Sequence, residues 1–361
     1  MKRILVLGAT GSVGTAALDV IRSHPDDFSV AGLAVRSRAE EAERLGLEFR
    51  APWFVGDESA LRAVRETEPD IVLVATVGLS GLAPTLAAIE RGIPVALATK
   101  EVLVAAGALV MTRASEKGVP IIPVDSEHSA IFQCIGDAAS RRAVTRLTLT
   151  ASGGPFLDGP DDLSSVTPAM AMRHPTWRMG PKVTIDSATM MNKGFEIVEA
   201  HWLFGVPYDA IDVVIHPESI VHSLVTFADG STLAQLSPPD MRVPLQYAFS
   251  WPDRLPAERA ALDLPALGAL TFRAPDTDRF PALDLVRDAA MAGGTRLAAL
   301  SAADEVAVAR FLSGEISFPD IVRLAAETVA YTPATPCDSA EAILAADAAA
   351  RMAAKYAILA T

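Results

Sequence analysis

The chain has 361 residues, half of them apolar, which is enough for two or three domains with sizeable cores. Its 31 lysines and arginines against 44 aspartates and glutamates give a net charge of −13, which argues against general binding of nucleic acid or anionic membranes. Two cysteines, Cys134 and Cys337, lack a CxxC partner, so we expect no disulfide scaffold or structural zinc, and a cytoplasmic protein. No apolar run reaches membrane-spanning length.

The first 150 residues alternate short apolar runs with helical patterns. Strands are predicted at Arg3–Leu7, Ser29–Ala34, Ile71–Ala75, Val95–Ala98, Ile121–Val124 and Leu147–Thr150. Helices are predicted at Val13–Ser23, Leu82–Arg91, Val102–Lys117 and Ser129–Ala139. The strands are apolar almost throughout, as in a sheet covered on both faces, and the alternation predicts a doubly wound, mostly parallel sheet.

The pattern changes in the second part of the chain. Ala151–Lys182 is rich in glycine, proline, serine and aspartate, and a long helix is predicted after it, at Ser187–Phe204. Three predicted strands follow, at Val213–Ile215, Val221–Phe227 and Thr232–Gln235. Asp229-Gly230 predicts a hairpin between the last two strands.

Two further segments complete the chain. Asp253–Pro281 is rich in proline, alanine and aspartate and is a predicted linker. From Ala282 to the end the pattern is helical and amphipathic, which predicts a small helical bundle. The fold class is therefore α/β, with a central α+β part and a C-terminal bundle.

A glycine-rich turn follows the first predicted strand and opens a helix. Gly8, Gly11 and Gly14 have the spacing GxxGxxG, a variant of the dinucleotide fingerprint, and the helix N-terminus offers free N–H groups to a pyrophosphate. Where an NAD site has an acidic residue, the chain has Arg36 and Arg38, and two guanidiniums favour the 2′-phosphate of NADPH. A plain turn and a solvated arginine face are the alternatives.

Two carboxylates, Asp125 and Glu127, flank Ser126 where a predicted strand ends, at the ligand-binding edge of a doubly wound sheet. They can cap the next helix or supply oxygen ligands to Mg²⁺ or Mn²⁺. Asn192 and Glu196 lie four residues apart on one face of the long predicted helix. Asp125, Glu127 and Glu196 would together form a hard-oxygen metal site with room for substrate oxygens.

The neighbours of Glu196 favour a buried helix over an exposed Lys–Glu pair. Lys193 lies beside Glu196 on the helix, but Met190, Met191 and Phe195 surround the pair with apolar side chains. Gly194 costs a helix about 1 kcal/mol relative to alanine, which indicates close approach by another element.

A second polar segment, Ala151–Pro155, can present a hydroxyl and backbone N–H groups to a phosphate, with a simple turn as the alternative. Ser187, Asn192 and Lys193 are candidates to complete this pocket, and Lys182 falls in the same region.

His174–Lys182 is framed by prolines and contains Trp177. A tryptophan on such a loop predicts a lid that closes over the ligand and excludes water. A rigid loop whose tryptophan packs into the fold is the alternative.

With these motifs the chain resembles the 1-deoxy-D-xylulose 5-phosphate reductoisomerase family. The resemblance covers nearly the whole chain and is carried by Gly8–Gly14, Thr99–Glu101, Pro123–His128, Ala151–Phe156, His174–Lys182, Ile185–Glu199, His216–Ser219 and Ser237–Met241. The segment Asp186–Gly194, DSATMMNKG, is the most specific of these. The chain departs from the family pattern at Thr99, at Arg36-Ser37-Arg38 and at Ser301–Glu305.

The resemblance implies roles for individual residues. The implied metal ligands are Asp125, Glu127 and Glu196, and the implied catalytic residues are these three and Lys100. The implied substrate contacts are Ser126, Glu127, Ser152, His174, Ser187, Asn192, Lys193 and Glu196. The implied cofactor contacts are Thr10, Gly11, Ser12, Val13, Arg36, Arg38, Thr99, Lys100, Glu101, Gly180 and Met241. Trp177 and Met179 would lie on the lid.

The resemblance also implies an activity and an organisation. The activity is an NADPH-dependent rearrangement and reduction of 1-deoxy-D-xylulose 5-phosphate to 2-C-methyl-D-erythritol 4-phosphate, in isoprenoid biosynthesis, with Mg²⁺, Mn²⁺ or Co²⁺. The organisation is a homodimer of subunits with a Rossmann-like NADPH domain (1–150), a catalytic and dimerisation domain (151–252, lid 174–182), a linker (253–281) and a helical bundle (282–361).

Two other functions fit parts of the sequence. An NADP-dependent semialdehyde dehydrogenase has a similar glycine turn, but it needs a thiolate nucleophile, and Cys134 lies in an apolar run. A non-catalytic NADPH-binding regulator would have no use for the acidic and polar residues.

Overall fold

The structure is a computed structural model that describes residues 1–136, 138–177, 179–257 and 261–358. Four parts of the predicted elements lie outside the described residues: Asp137 of the predicted helix 129–139, Arg178 of the predicted lid, 258–260 of the predicted linker and 359–361 of the predicted bundle.

The first sheet consists of six parallel strands. They are β1 Lys2–Leu7, β2 Phe28–Val35, β3 Trp53–Val55, β4 Ile71–Val74, β5 Val95–Leu97 and β6 Ile121–Pro123. The helices on its faces are α1 Ser12–Ser23, α2 Ala39–Phe49, α3 Ser59–Glu66, α4 Leu82–Glu90, α5 Lys100–Lys117 and α6 Ser126–Ile135, with a 3₁₀ helix at Gly78–Gly81. The strand order is β3-β2-β1-β4-β5-β6, so the ligand crevice of a doubly wound sheet lies between β1 and β4, where the order reverses.

The predicted parallel sheet is confirmed, although β3, α2 and α3 were not predicted. β3 has only three residues, and α2 and α3 are rich in charged residues, so none of them shows a long apolar run. The assignment of Leu147–Thr150 to this sheet was wrong. That run lies within β7, Val144–Ala151, which follows a short helix, α7, Ala138–Arg142. β7 forms its hydrogen bonds with two strands that come later in the chain, not with the first sheet.

The second sheet is formed by β7, β8 Ile211–Ile215, β9 Val221–Phe227 and β10 Thr232–Leu236. Its order is β10-β9-β7-β8, with β7 and β8 parallel and the other pairs antiparallel. The predicted hairpin is confirmed, with Gly230 at φ +83° in the turn between β9 and β10. The accompanying helices are α8 Pro168–Ala171, α9 Pro181–Thr189, α10 Met191–Phe204 and α11 Arg242–Ser250, with a 3₁₀ helix at Tyr208–Ala210.

The prediction of one helix over Ser187–Phe204 was wrong, because the chain breaks between α9 and α10. Met190 stands at the break with φ +65°, a left-handed conformation that methionine rarely adopts. Its side chain is buried, so packing compensates for the strain. The break places Ser187 and Asn192 on two different helices.

The rest of the chain contains an irregular segment and the predicted C-terminal helices. Residues 253–281 are largely irregular in their described part, apart from α12 Leu264–Leu267 and a bridge between Arg273 and Ile215. The bundle contains α13 Ala282–Ala292, α14 Arg296–Leu312, α15 Phe318–Tyr331 and α16 Ala340–Tyr356. Helix α14 packs on α5 and α9 as well as on α15 and α16. Within the described residues, no helix combines the length and apolar character needed to cross a membrane.

Two glycines allow helices from different parts of the chain to approach closely. A Cβ on Gly194 would lie 2.6 Å from Val286 Cγ2 on α13, so the predicted close approach is confirmed. A Cβ on Gly107 in α5 would lie 2.2 Å from Cδ1 of Trp202 on α10. Because α5 begins with Lys100, the α5–α10 contact sets where that side chain meets those of α10.

We expect Gly107→Ala to lower the free energy of unfolding by about 1–3 kcal/mol, since overpacking against Trp202 outweighs alanine's better helix propensity of about 1 kcal/mol. Urea unfolding of Gly107→Ala, Trp202→Leu and the double variant measures the effect. If the ring contact is the cause, the double variant loses less than the sum of the single losses, whereas additive losses would contradict it.

Candidate active site

The glycine turn after β1 is too crowded for side chains at two positions. Gly8 has φ +86°, and a Cβ there would lie 2.2 Å from the carbonyl oxygen of Ala75. A Cβ on Gly14 would lie 2.2 Å from the carbonyl oxygen of Gly8. Gly11 is the N-cap of α1 without a side-chain capping bond, so the first N–H groups of the helix, from Ser12 onwards, point into the crevice beside β1.

The two predicted arginines lie at the end of β2. Arg38 donates from Nη1 to the carbonyl oxygen of Thr10 at 3.0 Å, which brings its guanidinium onto the glycine turn. Arg36 donates to Asp57 Oδ1 at 2.8 Å, and both of these side chains are exposed. Glu41 pairs with Arg38 at 3.4 Å, so each of the two arginines has an acidic partner at this edge.

A cavity of about 550 Å³ opens at the carboxyl edge of the first sheet and reaches β7. The predicted site residues that line it are Ser12, Val13, Lys100, Asp125, Ser126, Glu127, Ser152, His174, Gly180, Ser187, Asn192, Lys193, Glu196 and Met241. Among the described residues, the predicted cofactor contacts that do not line it are Thr10, Gly11, Arg36, Arg38, Thr99 and Glu101. Thr99 is buried and donates to the carbonyl oxygen of Thr76 at 2.7 Å.

Three carboxylates converge in this cavity. Oxygens of Asp125, Glu127 and Glu196 all lie within 4.8 Å of one another. Asp125 occupies the N-cap position of α6, but its side chain makes no capping hydrogen bond. The carboxylate therefore does not cap this helix. Ser126 donates to Glu127 Oε2 at 2.5 Å, which fixes the direction of that carboxylate.

Lys100 reaches this acidic centre from the start of α5. Its Nζ donates to Asp125 Oδ2 at 2.8 Å and to Asn192 Oδ1 at 2.5 Å, and lies 3.4 Å from Glu196 Oε1. Burial opposes the charge on Lys100, but attraction by Asp125 and Glu196 is stronger and raises its pKa well above the usual value. Lys100 is therefore protonated at neutral pH and acts as a hydrogen-bond donor.

Lys193 reaches the same centre from α10. Its Nζ donates to Glu127 Oε1 at 2.7 Å, to the carbonyl oxygen of Thr150 at 2.6 Å, and to Glu196. Burial again opposes the charge, and attraction by Glu127 and Glu196 outweighs it and raises the pKa of Lys193. Both Lys193 and Glu196 are buried, so the predicted burial of this helix is confirmed.

The acids of the centre differ in their protonation. Burial raises the pKa of Glu196 to about 8, and repulsion by Glu127 adds to the effect. Burial also disfavours ionised Asp125, but attraction by Lys100, which donates a hydrogen bond to it, outweighs burial and lowers the pKa of Asp125. Asp125 is ionised at neutral pH, whereas Glu196 holds a proton in the absence of a further positive charge.

A buried histidine behind the acidic centre was not predicted. His128 Nε2 lies 2.9 Å from the backbone oxygen of Glu196, and Nδ1 lies 3.6 Å from Glu199 Oε2. Burial lowers the pKa of His128 and raises that of Glu199 well above its usual value, so both are neutral. The sequence signal was available, since His128 follows Glu127 by one residue and Glu199 follows Glu196 by three.

A second polar cluster joins Ser152, His174 and Ser187. His174 Nε2 lies 3.1 Å from Oγ of both serines. Its Nδ1 accepts hydrogen bonds from the backbone N–H groups of Thr176 and Trp177, so in the neutral ring the proton is on Nε2. Burial lowers the pKa of His174, which favours this neutral form. The cluster presents three N–H or O–H donors without a buried acid among them.

The predicted lid contributes Trp177 and Met179 to the cavity wall. The Trp177 ring lies edge-on to His222, with centroids 6.2 Å apart. His222, on β9, is buried and donates from Nε2 to the backbone oxygen of Ser237 at 3.1 Å, and Met241 lines the same cavity. His222 was not predicted, because a histidine within an apolar strand has no distinguishing spacing.

Comparisons with known proteins agree along the chain. Models of the 1-deoxy-D-xylulose 5-phosphate reductoisomerase family match residues 4–55 and 48–107, and models of its C-terminal domains match 121–204 and 236–353. Curated reductoisomerases from Ralstonia pickettii and Symbiobacterium thermophilum are 48% and 49% identical, over 97% and 98% of this chain and 96% and 98% of theirs. The chain belongs to this family.

Solved structures of the family have the same fold. The Zymomonas mobilis reductoisomerase in complex with NADPH is 39% identical, with a TM-score of 0.90 over 98% of each chain. A reductoisomerase complex with NADPH, fosmidomycin and magnesium is 38% identical, with a TM-score of 0.93 over 98% of this chain and 97% of that one. The α/β class, with its NADPH-type first sheet, second small sheet and C-terminal helices, is thus confirmed.

The residues predicted for the phosphate pocket do not all lie together. Asn192 and Lys193 line the same cavity as Ser152, and their polar atoms also contact residues of the acidic centre. Lys182, predicted for the same region, instead lies 3.1 Å from Glu101 in a separate buried cluster. The spacing of Lys182, Asn192 and Lys193 along the sequence could not predict this separation. The break at Met190 and the orientation of α9 and α10 determine which side chains face the cavity.

The dehydrogenase alternative is disfavoured by the state of Cys134. The thiol is half-buried, and burial raises its pKa to about 11. An acyl-transfer nucleophile needs a lowered pKa or a nearby base. Cys134 is also absent from the residues that line the described part of the cavity.

Glu196→Gln is expected to remove a pH-dependent loss of stability. A folded-state pKa of about 8 lies above the ordinary glutamate value of about 4.3, so this group's contribution is full below the lower value and is lost as pH rises through the upper one. With chelator present, the wild-type Tm should therefore fall more steeply than that of Glu196→Gln between pH 6 and 9. Glu116→Gln, at an exposed ion pair, is the matched control and should follow the wild type; parallel curves for all three proteins would contradict the assignment.

Proposed function

We propose that the chain catalyses the NADPH-dependent and divalent-metal-dependent rearrangement and reduction of 1-deoxy-D-xylulose 5-phosphate to 2-C-methyl-D-erythritol 4-phosphate. The observation that carries this proposal is that one cavity contains the acidic centre, the cluster of Ser152, His174 and Ser187, and the N-terminus of α1. A small phosphorylated ketose needs all three: oxygen recognition, a phosphate pocket and a nearby reductant.

We assign the metal to Asp125, Glu127 and Glu196. Three carboxylate oxygens within 4.8 Å of one another are the hard donor set that Mg²⁺, Mn²⁺ and Co²⁺ share, and the donor set alone does not choose among these ions. When bound, a divalent cation stabilises negative charge that develops on substrate oxygens, and NADPH is the reductant. The proton that Glu196 holds has to leave for its carboxylate to become a full ligand.

We assign the substrate phosphate to Ser152, His174 and Ser187, with Asn192 and Ser126 on the sugar hydroxyls. His174 Nε2 lies 3.1 Å from the hydroxyl oxygen of Ser152 and 3.1 Å from that of Ser187, so the three donors can serve the acceptor oxygens of one phosphate. The phosphate is remote from the reacting carbons, so its binding energy can drive closure of the lid at Trp177.

The chain's lysines supply charge close to the reacting atoms. Lys100 and Lys193 are protonated, so each can donate a hydrogen bond or a proton to a substrate oxygen, and neither is a base in this state. Glu127 is the carboxylate closest to Ser126 and is available to accept a proton. We therefore assign acid and orienting roles to Lys100, and the base to Glu127.

We assign the pyrophosphate of NADPH to the turn Thr10–Val13, the 2′-phosphate to Arg38 with Arg36, and the nicotinamide side to Met241 and Gly180. Ser12, Val13, Gly180 and Met241 all line the same cavity as the acidic centre, which supports a reductant next to the substrate.

A homodimer in the cytoplasm is also part of the proposal. Strand β10 is an edge strand with Leu233 50% and Leu236 36% exposed, and an exposed apolar edge is a site for strand pairing with a second copy.

The decisive measurement is NADPH oxidation with 1-deoxy-D-xylulose 5-phosphate, with and without chelator. We expect turnover that chelator abolishes and added Mg²⁺ or Mn²⁺ restores. Glu196→Gln should lose turnover by at least about 1,000-fold, of the order seen when one electrostatic catalytic group is removed, while NADPH binding by fluorescence is retained. Glu116→Gln should behave as wild type, and chelator-resistant turnover would overturn the metal assignment.

Ser187→Ala should mainly weaken substrate binding. Loss of one hydrogen bond to a charged phosphate costs roughly 1.5–3 kcal/mol, which corresponds to about a 10- to 150-fold increase in KM. The KM for NADPH should change less than twofold, and Ser313→Ala in the bundle is the control. An unchanged KM for the sugar phosphate would refute the phosphate assignment.

A further inference from the structure

A second buried charge cluster lies behind the cavity, towards the bundle. Lys182 Nζ lies 2.7 Å from Asp186 Oδ2, 3.1 Å from Glu101 Oε1 and 3.2 Å from Asp304 Oδ2. The Lys182 side chain is 17% exposed, and both aspartates are fully buried. We call Lys182, Glu101, Asp186 and Asp304 the lysine node.

The lysine node joins three helices from different parts of the chain. Lys182 and Asp186 belong to α9, which begins directly after Gly180 of the lid segment and also carries Ser187. Glu101 follows Lys100 in the first turn of α5. Asp304 belongs to α14 of the bundle. Because Lys182 contacts residues of all three helices, it holds Ser187 and the lid segment at a fixed distance from the acidic centre.

The node has an excess of acid, which a proton retained on one aspartate relieves. One lysine and three ionised carboxylates would carry a net charge of −2 in a buried place, which is costly. Asp186 and Asp304 are both fully buried and both lie within 3.2 Å of Lys182 Nζ, so their two carboxylates repel each other unless one of them is protonated. Burial and then repulsion by Asp304 raise the pKa of Asp186 well above its usual range, consistent with one retained proton.

Other charged groups face the node from each helix packed against it. On α5 and α10 these are Lys100 and Glu199, both of which interact electrostatically with Glu101. On α14 and α16 they are Glu305 and Arg351, which are paired at 2.7 Å. The ring of Phe195 covers the remaining side of Lys182, with Nζ 5.0 Å from the centroid.

We propose that Lys182 is a positioning residue, which holds Ser187 and the lid segment in register with Lys100 by tying α9 to α5 and α14 through the lysine node. The inference rests on the proposed function. Lys182 does not touch the cavity within the described residues, so its effect on turnover is transmitted through Ser187 and the lid.

The kinetic test compares Lys182→Met with Lys182→Arg. Lys182→Met should raise the KM for 1-deoxy-D-xylulose 5-phosphate roughly tenfold or more, about 1.4 kcal/mol, and leave the KM for NADPH within about twofold. Lys182→Arg keeps the charge and should recover most of the loss. Lys117→Met, at the exposed pair with Glu90 on the far end of α5, is the matched control.

A double-mutant cycle separates positioning from general damage. If Lys182 acts through Ser187, Lys182→Met and Ser187→Ala together should raise the KM by clearly less than the product of the two single effects. Multiplicative effects, or a wild-type KM for Lys182→Met, would overturn the proposal.

A second pair of variants decides the matter if Lys182→Met does not fold. Asp304→Leu cuts the tie to α14, and Asp304→Asn keeps an oxygen for Lys182 and a donor for Asp186; both lower the excess acid, so both should fold. Asp304→Leu should raise the sugar-phosphate KM about tenfold, and Asp304→Asn less than about threefold. Equal KM values for the two variants would count against the node.

The retained proton has its own readout, which needs no substrate or metal. Because burial beside Asp304 raises the pKa of Asp186, stability is lost as pH rises above the ordinary aspartate pKa of about 3.9, and the wild-type Tm should fall more over that rise than the Tm of Asp304→Asn. Hydrogen exchange in α9 should be faster in Asp304→Leu than in Asp304→Asn. If the wild type shows no turnover of the sugar phosphate, the proposed function fails, but the Tm profiles and hydrogen exchange still test whether the lysine node holds α9. Superimposed Tm profiles and equal exchange rates would reject the node's role.

Discussion

The structure depends on the compensation of buried acid by buried lysine. Asp125, Glu127 and Glu196 lie in one cavity, and without a counter-charge their mutual repulsion and loss of hydration would force them apart or keep them protonated. Lys100 and Lys193 supply that counter-charge with direct bonds to all three. Two lysines against three acids leave one carboxylate in excess; burial and this excess keep a proton on Glu196, and a further cation would compensate the remaining charge.

The compensation is delivered by helix packing. Lys100 comes from α5 and Lys193 from α10. These helices approach closely because Gly107 has no side chain where the Trp202 ring packs. The break at Met190 then turns α9 away from α10, so that Ser187 faces the cavity beside His174 and not along the α10 face. The left-handed backbone conformation at Met190 therefore brings the cluster of Ser152, His174 and Ser187 next to the acidic centre.

Much of this could be predicted from sequence where a local pattern has a local cause. The parallel sheet, the glycine turn, the hairpin at Gly230 and the bundle follow from apolar periodicity and turn chemistry. The partner strands of Leu147–Thr150 and the break at Met190 could not be predicted, because hydrogen-bonding edges and a strained φ are settled by tertiary packing. For the same reason, the different positions of Lys182 and Lys193 could not be predicted. The two lysines are eleven positions apart, and tertiary packing places Lys182 against the bundle and Lys193 in the cavity.

Adjacent residues at the start of α5 show how the two charge clusters are connected. Successive side chains on a helix point about 100° apart, so Lys100 faces the acidic centre and Glu101 faces Lys182. Because both belong to one helical turn, a displacement of α9 that strains Glu101 also moves Lys100. An excess of carboxylates occurs in both clusters, and a retained proton relieves it in each, so α14, α9 and the acidic centre share one electrostatic constraint.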